Sequence, residues 1–73
     1  MEQQKIINPE AQFNIDKSWD EFGLKEGEQI TILQSYVIRG TEFIEVESSE
    51  NEIIDIPRYE FMLGWKNNII TPI

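Results

Sequence analysis

The stretch Leu24-Lys25-Glu26-Gly27-Glu28-Gln29-Ile30-Thr31-Ile32-Leu33 sets a charged turn around a glycine directly against a run of branched apolar residues. Ile30 and Ile32 alternate with Gln29 and Thr31, the period-two pattern of a strand with one buried face. Downstream, Ile54-Asp55-Ile56-Pro57-Arg58-Tyr59 repeats the alternation and stops at a proline, which has no N–H to give to a ladder. One segment opens a strand and the other closes one. Between and around them the chain reads as short strands separated by polar turns.

The pattern from Glu28 to Ile38 is β-rich, with Ile30, Ile32, Tyr36 and Val37 along it. Arg39-Gly40-Thr41 turns the chain, residues 42–47 form the next strand, and Ser48-Ser49-Glu50-Asn51 turn it again. Glu52 to Ile56 return as far as Pro57. Phe13 and Ile15 give a short first strand, and Ile69-Ile70 a last apolar stretch after Gly64 and Trp65. Ser18 with Glu21 fits a capping box, although Gly23 follows too soon for a helix. Close spacing of short strands argues for a barrel or sandwich over a βαβ fold. The expectation is an all-β domain over residues 11–73, a small five-stranded antiparallel barrel with short terminal extensions and a loosely held arm over residues 1–10. Its expected core is Ile30, Ile32, Ile44, Val46, Ile54 and Ile56.

The central hairpin has a readable register. With Ile44 and Val46 inward, Ile54 and Ile56 are their counterparts, and pairing Val46 with Ile54 leaves Ser49-Glu50-Asn51 as the loop. Such loops end on a left-handed residue, which asparagine tolerates well. Phe43, Glu45, Glu47 and Asp55 then share the outer face.

Composition narrows the chemistry. The 73 residues form one domain near the lower limit for folding without staples. With no cysteine and no histidine, disulfides, thiolate or imidazole metal ligands and the usual Ser-His or Cys-His nucleophile pairs are excluded. Asp16, Ser18 and Asp20 imitate the opening of a calcium loop, but Glu21 stands where the glycine is needed and Gly27 where a bidentate glutamate is. The expectation is a protein without enzymatic activity, metal or cofactor. Fourteen acidic residues against six basic ones give a net charge of −8, which repels nucleic-acid backbones and anionic membranes. No apolar run reaches the length of a membrane span, and the first residues lack signal-peptide character. A soluble cytoplasmic protein, monomeric or weakly self-associating, is expected.

The glycine turn and the strand after it resemble the "Leu-Lys-Lys-Gly-Asp then alternating strand" of SH3 and bacterial SH3-like domains. Glu42-Phe43-Ile44-Glu45-Val46-Glu47 is similar to their central strand, and Ile56-Pro57-Arg58-Tyr59 to their closing "Ile-Pro-x-x-Tyr", one residue shorter. Ala11-Gln12-Phe13-Asn14-Ile15 sits where their first strand lies. The resemblance spans roughly residues 11–61 and implies a small barrel. The ligand-binding tyrosines of that first strand fall on Phe13 and Ile15, which lack hydroxyls, so the resemblance implies the fold more than binding of proline-rich peptides.

Two functional classes follow. One is a non-catalytic module that binds another protein through an aromatic and acidic face, with Trp19, Phe43, Glu45, Glu47, Asp55, Pro57 and Tyr59 as contact residues. The other is an acidic mimic of a nucleic-acid backbone that blocks a nucleic-acid-binding protein. Glu45 directly opposite Asp55 places like charges together, a mildly costly arrangement that a basic partner would relieve.

Overall fold

A computed structural model of the chain describes residues 9–73. Strand β1 (Gln12–Ile15) is followed by a 3-10 turn (Asp20–Phe22) and by the long strand β2 (Gln29–Ile38). Strands β3 (Thr41–Glu47) and β4 (Ile53–Pro57) follow, then helix α1 (Arg58–Lys66) and strand β5 (Ile70–Pro72). The strands make one antiparallel five-stranded sheet in the order β4-β3-β2-β1-β5. Among the described residues no ladder joins β4 to β5; α1 lies between them in the chain and touches β3, β4 and β5. The expected arm over residues 1–10 lies outside the described residues up to Asn8.

Turn chemistry sets the strand boundaries. Gly27 has φ 94°, and the Glu28 N–H donates to the Lys25 carbonyl at 3.1 Å, so the chain reverses just before β2. The Glu28 carboxylate accepts the Lys25 N–H at 2.6 Å and the Ser49 hydroxyl at 2.9 Å, which ties this turn to the β3–β4 loop. These bonds hold its pKa below the ordinary value, the backbone N–H first and the Ser49 hydroxyl next. Arg39 and Gly40 both have positive φ, and Ile38 pairs with Thr41, which makes the β2–β3 connection a two-residue hairpin. Asn51 takes the left-handed conformation at φ 64°, and β3 pairs with β4 as Val46↔Ile54, Glu45↔Asp55 and Ile44↔Ile56. The register expected for this hairpin is the one observed.

Alternation builds the core. Ile30, Ile32, Ile44, Val46 and Ile56 are buried, joined by Phe13, Ile15, Leu24 and Ile70; Ile54, on the terminal strand β4, is only half-buried and packs against this core. Phe13 meets Phe61 and Trp65 edge-on at centroid distances of 5.2 and 4.9 Å. These contacts bring in α1, an element for which the sequence offers no clear helical signature. Pro57 begins it at φ −55°, Glu60 stands in its first turn and Lys66 in its last, both suited to the helix dipole. Phe61 and Gly64 face the core, and Trp65 packs beside them.

Trp19 completes this layer. It is 6% exposed, buried in the core, and pairs with Leu24 as a one-residue bridge around the 3-10 turn. A Cβ on Gly64 would stand 2.9 Å from the Trp19 ring, so only glycine lets the helix approach. The expectation of Trp19 as a surface contact is therefore corrected: the polar neighbours Ser18 and Asp20 are exposed, but the indole turns inward between them.

Candidate protein-binding face

The site is built by a break in alternation. Ile32 pairs with Val46, but Gln34 pairs with Glu45, so Leu33 is an extra residue that β3 does not match. Such a bulge shifts every later side chain to the opposite face. With strict alternation Tyr36 would join Ile30 and Ile32 inside. Instead Gln34, Tyr36 and Ile38 lie opposite Glu45, Phe43 and Thr41, on the face away from the core.

There Tyr36 stacks on Phe43, with ring centroids 5.6 Å apart and planes at 23°. Pro57 sits opposite Phe43 on its other side, so three rings cross the sheet from β2 to β4. Below them Glu45 lies between Gln34 and Asp55, and Glu47 between Thr31 and Ile53. Among the described residues, no outward position of any strand carries lysine or arginine. The face is acidic around an aromatic centre.

Neutral donors serve the two opposed carboxylates. The Gln34 amide donates to Glu45 Oε1 at 3.0 Å, and the Tyr36 phenol is hydrogen-bonded to Asp55. Partial desolvation raises the Tyr36 pKa first, the bond to Asp55 adds to it, and the charges of Asp55 and Glu45 act in the same direction. The phenol therefore stays protonated and donating across the ordinary pH range. Arg58, the nearest basic residue in sequence, donates from Nη1 to both oxygens of Glu42, at 3.2 and 3.1 Å. That pair joins the start of α1 to β3.

Phe43, Glu45, Glu47, Asp55 and Pro57 are thus brought together on one face. Tyr59 stands apart on α1, exposed, and Trp19 is in the core. Tyr36 is the residue that sequence reasoning missed. Its adjacency to Val37, two β-formers in succession, breaks strict alternation without marking where the extra residue lies. The Asp16 carboxylate accepts the Thr71 hydroxyl at 2.7 Å, joining the end of β1 to β5. Among the described residues no three acidic side chains converge closely enough to hold a metal ion, and no helix is long and apolar enough to cross a membrane.

The chain matches no model of a known protein family, and no curated protein or solved structure matches it either.

Proposed function

We propose that this chain is a small SH3-like module without catalytic activity that binds another protein through the Tyr36, Phe43 and Pro57 rings and the carboxylates of Glu45, Glu47 and Asp55. The observation that carries this reading is the aromatic stack set in an acidic surface from which basic residues are missing among the described strands. Rings supply contact area at small entropic cost, and the carboxylates select a basic counterpart and speed encounter.

The second reading, a nucleic-acid-backbone mimic, rests on the same carboxylates without needing the rings. Two variants separate the readings in capture from a lysate followed by titration of the captured partner. Under the module reading, Phe43→Ala weakens binding while the fold survives, and Glu45→Lys weakens it most at low salt. A nucleic-acid-binding enzyme as partner, with full affinity retained in Phe43→Ala and lost in Glu45→Lys, would establish mimicry instead. Loss of folding in Phe43→Ala would remove the stack as a binding element.

A further inference from the structure

The bulge that exposes Tyr36 also ends a strand pairing. β1 follows β2 only to Ile32, where the Glu10 N–H donates to the Ile32 carbonyl at 2.7 Å and the Ile32 N–H to the Ala11 carbonyl at 2.8 Å. Beyond it, Gln34–Ile38 pairs with β3 on one side, and among the described residues no strand lies on the other. An antiparallel ladder turns the N–H and C=O of every second residue away from its partner. Among the described residues, this stretch therefore carries backbone groups that no ladder pairs on that side.

Edges are ordinarily blunted by proline, charge or shortness. The sheet's two terminal strands follow that rule, β4 with Asp55 and Pro57, β5 with three residues and Pro72. Gln34-Ser35-Tyr36-Val37-Ile38 follows the Leu33 bulge but carries neither proline nor charge, and Val37 and Ile38 are 65% and 52% exposed. It is the unprotected edge of the molecule's described part.

We infer that Gln34–Ile38 accepts an extended basic segment of a partner protein as an added strand. The inference rests on the module reading and specifies how the partner is held: main-chain bonds give affinity, and alternate side chains give specificity. Side chains of an added strand on the outer face would lie beside Gln34, Tyr36 and Ile38, with Glu45 one strand further in and Asp55 beyond it. Glu10 flanks the inner end of the same edge. Lysine or arginine at those positions meets carboxylates, whereas a second copy of this chain brings another charge of −8.

The test uses the full chain and a capped octapeptide of alternating lysine and valine, with a glutamate–valine peptide as its control. Amide hydrogen exchange is followed residue by residue. In the free protein the outward amides of residues 34–38 exchange quickly, and the lysine peptide slows them about tenfold or more while β5 is unchanged. Val37→Pro abolishes this protection; should the proline disturb the hairpin, Val37→Lys weakens binding severalfold at an unchanged melting temperature. Protection already present in the free chain, from residues 1–8 or from a second copy, would overturn the inference, as would equal protection by the glutamate peptide. If the lysine peptide shifts Phe43 and Glu45 resonances without slowing residues 34–38, the edge is wrong and the face stands. If residues 34–38 are slowed with equal affinity in Phe43→Ala, the edge stands and the face is wrong.

Discussion

The two halves of β2 have similar composition and different fates. Gln29–Ile32 lies between β1 and β3, and its isoleucines are sealed in the core. Gln34–Ile38 pairs, among the described residues, with β3 alone, and its valine and isoleucine are exposed. Apolar, β-branched residues thus serve the fold on one side of Leu33 and remain available on the other. Position relative to the neighbouring strand, and not residue type, decides which role each one has.

The sharpest way to break that contrast is to truncate one residue from each half. Ile32→Ala removes a side chain that is 1% exposed and leaves a cavity, which costs about 2–5 kcal/mol. For a domain this small that is most or all of its stability. Val37→Ala touches no core and is expected to change stability by less than about 0.5 kcal/mol. Urea titration of both variants measures the difference. Comparable losses would mean that the outer half is packed against something, and the contrast would fail.

A second, smaller effect belongs to the layer that seals the inner half. Gly64→Ala gains about 1 kcal/mol of helix propensity. Against this, the new methyl stands 2.9 Å from Trp19, and overpacking of that kind costs about 1–3 kcal/mol. Net destabilisation is expected by chemical unfolding, together with a change in Trp19 fluorescence. A stabilised Gly64→Ala would show that the indole moves aside freely and that the tight approach of α1 is not needed.

What the residues disclosed follows the same division. The β3–β4 register was legible because parity, loop length and Asn51 all pointed to one pairing. The bulge was not, since Leu33 is an ordinary apolar residue and neither glycine nor proline marks the extra position. Without the bulge Tyr36 reads as core, and the stack on Phe43 stays hidden. Helix α1 was obscured by Phe61-Met62-Leu63-Gly64-Trp65, a continuous apolar run with a glycine inside it, which shows no clean helical period. Trp19 packs against Gly64 as well as Phe22, and the first of these is a contact between distant parts of the chain that its polar neighbours cannot announce.

On the outer half, Glu45→Lys replaces a like-charge pair by an opposite one facing Asp55, while giving up the bond from Gln34. The gain is therefore at the low end of about 0.2–1 kcal/mol and shrinks with added salt. Thermal melts at two ionic strengths measure it. A loss of stability in Glu45→Lys would mean that the Gln34 bond outweighs the opposed charges, and that the face is settled without a partner.

The smallest effect sharpens the comparison through pH, because a residue at each end of β2 titrates in the opposite sense. Glu28, just before the inner half, has its pKa lowered from an ordinary 4.5 by the Lys25 N–H and the Ser49 hydroxyl. Its contribution is complete above that value and is lost as pH falls through the lowered pKa. Tyr36, in the outer half, is raised from 10.0 by desolvation and by Asp55. Its contribution is complete below 10.0 and is lost as pH rises through the raised pKa, because the folded chain holds a proton that the unfolded chain releases. Glu60, raised by desolvation and by its bond to Glu21, opposes Glu28 on the acid side, since acidification relieves it. Differences between variant and parent cancel that background. Glu28→Gln is expected to flatten the acid limb of the stability profile and leave the alkaline limb alone, and Tyr36→Phe to do the reverse. If Tyr36→Phe left the alkaline limb unchanged, the phenol would not be held by Asp55, and the outer half would lose the one polar bond that fixes its ring across the sheet.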